Sequence, residues 1–141
     1  MSTTLYVIAD YGPTGELAWA ELRSAIDRRC GGFEIVPVVA PSFNTIAAGF
    51  AAAQLARGLD PIGNAIFINV DPRTDRRQAV KDGAGAPFVC AVLDNGLRVF
   101  APNAGKCLAF LQPRIKICYI LHDGSGHGQF RSRDLFPGLI N

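Results

Sequence analysis

"TTLYVIAD", Thr3 to Asp10, is a short apolar run that ends in an acid and enters a glycine-proline turn at Gly12 and Pro13. A brief, unbroken apolar run suits a strand buried on both faces, and such a strand delivers its last side chain to the carboxyl edge of a parallel sheet. "NAIFINVD", Asn64 to Asp71, repeats the pattern and again finishes in an aspartate. Between the two, Glu16 to Arg29 sets Ala18, Leu22, Ala25 and Ile26 at helical spacing, and Gly31-Gly32 stops the helix. "FEIVPVV", Phe33 to Val39, reads as another strand. "PSFN", Pro41 to Asn44, then leads into an alanine-rich helix to Arg57 that carries Ile46, Phe50 and Ala53 on one side. Strand, helix, strand, helix, strand predicts an α/β fold with a mostly parallel central sheet flanked by helices.

The second half has a different texture. "RRQAVK", Arg76 to Lys81, and "PFVCAVLD", Pro87 to Asp94, read as strands separated by the flexible "DGAGA". "DNG", Asp94 to Gly96, is a turn signal, and "RIKICYILH", Arg114 to His122, is a further strand of alternating character. No repeat, low-complexity tract or linker divides the 141 residues, so one domain over 1–141 is expected.

Composition narrows the function classes. A formal charge of only +2 gives no electrostatic case for nucleic acid or an anionic membrane. Apolar runs break well short of a bilayer span, and Asp10, Gly12 and Pro13 interrupt any signal-peptide core. The four cysteines, Cys30, Cys90, Cys107 and Cys118, form no C-x-x-C pair and read as buried reduced thiols, which suits a cytoplasmic setting. His122 and His127 match no metal motif, so no metal is expected.

Asp10 and Asp71 are the candidate site residues. In open α/β sheets, ligands occupy the crevice outside the carboxyl ends of the strands. An aspartate there also has a plain structural use as a cap for the next turn or helix. A carboxylate offers two acceptor oxygens, a good match for the vicinal hydroxyls of a ribose. An aspartate near Arg76-Arg77 stays ionised and can orient water. The chain has no G-x-G-x-x-G, P-loop or G-x-S-x-G elbow.

Several motifs resemble those of the S-adenosylmethionine hydroxide adenosyltransferases and their relatives, the fluorinase and chlorinase. "IADYG" looks like T-D-F-G, and "APSFNTIAAGFAAAQLA" like I-P-P-Q-D-…-A-A-A-F-x-L. "INVDPRTDRR" is similar to V-V-D-P-G-V-G-…-R-R, "VLDNGL" to A-P-D-N-G-L, and "QFRSRDLF" to T-F-H-G-R-D-I-F. The matches fall in the family's order over nearly the whole chain.

The resemblance implies cleavage of S-adenosylmethionine by attack at the 5′ carbon, with adenosyl passing to water and adenosine and methionine as products. A halide-using variant and a catalytically silent adenosyl-binding or assembly subunit are the alternatives. It assigns Asp10 to the ribose diol and Asp71, with Arg76 or Arg77, to water activation. Asn95 would line the substrate, and Phe43 would stack on it. The loop from Phe130 to Phe136 would close the active site, with Phe130, Arg133 and Asp134 binding substrate and Arg131 and Ser132 near the nucleophile.

Departures are equally specific. Arg131 replaces the usual histidine, and Ser132 replaces a glycine, as in the fluorinase, where that serine contacts the halide. The fluorinase has a tyrosine where this chain has Asp71. Gly15 stands at the family's second acid, whose only replacement is neighbouring Glu16. No cofactor is implied beyond S-adenosylmethionine as substrate. The family's C-terminal β domain, which supplies most of the adenine pocket, has no counterpart here. The expected partners are therefore further copies of the chain, a trimer by resemblance, or a separate chain carrying that domain.

Overall fold

A computed structural model describes residues 3–11, 16–29, 33–42, 44–70 and 88–120. The elements run β1 (Thr3–Ala9), α1 (Glu16–Arg29), β2 (Phe33–Val39), α2 (Thr45–Gly58), β3 (Asn64–Asn69), β4 (Phe88–Leu93), β5 (Arg98–Pro102), a short 3-10 turn (Gln112–Arg114) and β6 (Ile115–Ile120). They form one α/β domain around a six-stranded sheet of order β2-β1-β3-β5-β4-β6.

The sheet is mixed. β2, β1, β3 and β5 pair in parallel, whereas β4 is antiparallel to both β5 and β6. The two styles follow from the connections. A helix crossover returns the chain to the same end of the sheet, so β1, β2 and β3 are parallel. A three-residue loop, Asp94 to Gly96, folds β4 back onto β5 instead. Its bonds run from Gly96 N to Leu93 O and from Leu93 N to Leu97 O, each 2.9 Å. Gly96 has φ +93°, a conformation open to glycine and strained for other residues. β5 was not singled out in the sequence, and "RRQAVK" lies outside the described residues.

The core has a layer on each side of the sheet. Leu22 and Ile26 of α1 pack with Leu5, Val7, Phe67 and Phe100 on one face. On the other, Ala48, Ala52 and Ala56 of α2 pack with Ile8, Ile66, Ile68 and Val99. α1 therefore buries the face its periodicity indicates. α2 does the reverse: Ile46 and Phe50 are 58% and 54% exposed, while Thr45, Ala48, Gly49, Ala52 and Ala56 are buried.

Close approach explains the reversal. A Cβ built on Gly49 would collide with the carbonyl oxygen of Lys106, and one on Gly105 (φ +54°) would press on the Thr45 side chain. Thr45 Oγ1 accepts a 3.0 Å bond from the Lys106 amide, which seats the segment after β5 against the start of α2. Only small side chains leave room for that contact. Phe50 instead meets Phe110 edge to face, with centroids 6.0 Å apart.

β6 also departs from its sequence pattern. Lys116 to Ile120 are all exposed rather than alternating. Among the described residues, β6 is the last strand of the sheet, and α1 and α2 pack on the strands at the other side of it. Cys118 is an exposed thiol, whereas Cys90 and Cys107 are buried thiols, as expected. Burial pushes the Cys90 thiol up, and nearby Arg98 offsets this only in part. Cys30 lies outside the described residues.

Candidate functional site

β1 is flanked by β2 on one side and β3 on the other, and α1 and α2 lie on opposite faces of the sheet. The chain therefore changes direction of winding between β1 and β3. In sheets of this kind the crevice outside the carboxyl ends opens at that point. Asp10 is the first residue past β1 and is half-buried there. Ala9 registers with Asn69, so Asp10 lies beside the end of β3, followed by Val70.

Several contacts shape this end of the sheet. The Ala40 amide donates to Ala9 O at 2.9 Å, tying the exit of β2 to that of β1. Asn44 caps α2, its Oδ1 accepting from Ala47 N at 2.9 Å. The Cys107 thiol donates to Val70 O at 3.5 Å, anchoring the exit of β3.

On the α1 side, Asn69 Nδ2 donates to the Tyr11 hydroxyl at 2.6 Å. The Tyr11 ring meets Trp19 of α1 at 5.0 Å between centroids, at an interplanar angle of 77°. A side-chain bond of this kind contributes about 0.5–1.5 kcal/mol net. The aromatic pair adds about as much beyond its buried area. Sequence reading did not select Tyr11, Asn69 or Trp19. The available signal was Asn69 itself, because an amide inside an apolar strand requires a partner.

Asn95 stands elsewhere. β5 is parallel to β3 and begins opposite its start, with Ala65 registered to Arg98. The loop before β5 therefore lies at the amino end of the parallel strands, away from Asp10 by the length of β5, about 15 Å at strand rise. Within one chain, the turn that carries Asn95 therefore stands at the opposite end of the parallel strands from Asp10. Asn95 serves its own turn, Oδ1 accepting from Leu97 N at 3.0 Å. Neighbouring Asp94 takes bonds from Arg114 Nη2 at 3.1 Å and Nε at 3.3 Å, while Arg114 Nη1 reaches Ala56 O in the last turn of α2.

The remaining candidates fall at or beyond the margins of what is described. Glu16 opens α1, and its side chain is not among the described parts. Phe43, Asp71, Arg76, Arg77, Phe130, Arg131, Ser132, Arg133 and Asp134 lie outside the described residues. A cavity of about 570 Å³ sits toward the β6 side, lined by Asn103, Lys106, Gln112 and Cys118 among others. It holds none of the residues selected from sequence. Among the described residues, no cluster of three or more His, Cys, Asp or Glu could hold a metal. Nor is any described helix long and apolar enough to cross a membrane.

No protein-family model and no curated protein matches the chain. Solved structures do match. One is the crystal structure of an uncharacterized conserved protein from Thermotoga maritima, with a TM-score of 0.77 and 14% identity. The match covers 96% of this chain and 51% of that one, so this chain spans about half its length. At that identity the likeness defines a class of fold, an α/β domain with a mixed sheet, and nothing finer.

Proposed function

We propose that this chain carries the polar half of an adenosyl-ligand site and acts as an S-adenosylmethionine-cleaving enzyme, or its N-terminal subunit, transferring adenosyl to water. The observation that carries the reading is Asp10, an acid at the carboxyl end of β1 where the winding reverses between β1 and β3. A carboxylate at this place suits the two hydroxyls of a ribose. The ordered motif resemblance assigns Asp10 that task and supplies the reaction class.

In that reaction, a water oxygen bonds to the 5′ carbon as the bond from that carbon to sulfur breaks. The electron pair goes to sulfur, neutralising the sulfonium, and methionine departs. The attacking water passes its proton to the Asp71 carboxylate and from there to solvent, with Arg76 or Arg77 as the other assigned neighbour. Because the leaving group is already good, the protein's work is alignment and exclusion of bulk water. An adenine pocket is still required, and a contribution to it from further copies of the chain or from a separate chain is part of the same proposal. A cytoplasmic setting and a mostly parallel sheet like that of the family's N-terminal domain belong to the same reading.

Arg131, standing where the family has histidine, favours a second reading: an adenosyl-binding subunit without turnover. Incubation with S-adenosylmethionine, with and without chloride or fluoride, followed by mass spectrometry, separates the readings. Adenosine and methionine in equal amounts support the enzyme. Intact S-adenosylmethionine refutes it, and halogenated adenosine replaces water by halide as nucleophile.

A further inference from the structure

We infer that Tyr11 and Asn69 are positioning residues for Asp10, fixing its carboxylate for a ribose-containing ligand; this rests on the reading of Asp10 given above. Asp10 lies just past the last residue of β1, where the regular ladder stops. The backbone on either side of Asp10 sets where its side chain starts and in which direction it sets out. On one side, Ala9 is registered with both Val39 and Asn69. On the other, Tyr11 is held by side chains. Its hydroxyl takes the 2.6 Å bond from the Asn69 amide, and its ring rests edge-on against Trp19. Two separate elements, β3 and α1, therefore fix the residue that follows Asp10.

The tie is long-range. Tyr11 and Asn69 are 58 positions apart, yet the bond joins the exits of two neighbouring parallel strands. Binding two vicinal hydroxyls demands direction as well as place from a carboxylate, and small misplacements of a binding group are costly. Loss of the Tyr11 hydroxyl removes the tie to Asn69 on that flank while the ring stays against Trp19.

The test is a double-mutant cycle read by adenosine titration of the full chain, using the parent, Tyr11→Phe, Asp10→Ala and the combination. Phenylalanine keeps the ring against Trp19, and Asn69→Ala removes the same bond from the opposite side. Each of Tyr11→Phe and Asn69→Ala is expected to weaken adenosine binding about fivefold. In the Asp10→Ala background, Tyr11→Phe is expected to change nothing further. Equal affinity of parent, Tyr11→Phe and Asn69→Ala overturns the positioning role and leaves the Asp10 reading standing. A loss that persists without Asp10 also overturns it, because it marks a general effect on the fold. If Asn69→Ala does not fold, Tyr11→Phe alone decides. No adenosine binding by the parent overturns the Asp10 reading and this one with it.

Discussion

Asp10 and Asn95 lie at opposite ends of the same sheet: Asp10 follows β1 at its carboxyl end, and Asn95 sits in the loop that precedes parallel β5. One small ligand cannot touch both within a chain. Asn95→Ala is therefore expected to leave adenosine affinity unchanged. It should cost about 1 kcal/mol of stability through loss of the bond to Leu97 N. Denaturant unfolding and adenosine titration of the same sample check the two halves of that statement. A large loss of affinity would mean that Asn95 reaches the site of another copy.

The buried face of α2 offers a matched pair of glycine substitutions. Gly49→Ala forces a Cβ onto the Lys106 carbonyl and should destabilise by about 1–3 kcal/mol. Gly58→Ala meets nothing within 4 Å and should be neutral or stabilising, by up to about 1 kcal/mol. Thermal unfolding of both variants provides the comparison. Equal effects would contradict the close approach of α2 to the segment after β5.

Thr45 is 7% exposed, and its hydroxyl accepts from the Lys106 amide at 3.0 Å. Thr45→Val keeps the shape and removes the acceptor. The abandoned amide is expected to cost about 1–3 kcal/mol. Thr45→Ser, which keeps the oxygen, should lose less.

Much of the first half was legible because its signals are local. The apolar runs of β1 and β3, the glycines after α1 and the spacing of Leu22 and Ile26 each encode their element nearby in sequence. α2 was misleading because its largest apolar residues, Ile46 and Phe50, face outward. What buries the helix is the small-residue face around Gly49, and that becomes visible only once the segment at Lys106 is in place. The alternation expected of β6 was not found for a related reason: among the described residues, the helices pack on strands away from β6, and strand spacing alone carries no record of that. At the site, Asp10 was readable as an acid ending a strand. Tyr11 was not, because it falls where the resembling motif T-D-F-G has phenylalanine and its hydroxyl has no counterpart there. The place of Asn95 at the far end of the sheet was not readable, because motif order carries no information about which end of a sheet a turn occupies.

The thiols should separate by burial. In the native chain, Cys118 is expected to react with an aqueous thiol reagent, whereas Cys90 and Cys107 should react only after unfolding. Burial raises the Cys90 thiol above its ordinary range, so near pH 8 it has even less thiolate than an exposed cysteine. Peptide mass mapping after brief labelling reads each site separately. Rapid labelling of Cys90 in the folded chain would contradict the packing of β4.

The role of Asp10 is tested most directly by titrating the parent and Asp10→Ala with adenosine and with 2′,3′-dideoxyadenosine, which lacks the diol. A charged hydrogen-bond partner contributes about 1.5–3 kcal/mol, so the parent is expected to prefer adenosine by at least about tenfold. Asp10→Ala, still folded, is expected to lose that preference and bind both nucleosides alike. Equal affinity of the parent for the two nucleosides, or a preference that survives Asp10→Ala, would contradict the assignment of Asp10 to the ribose.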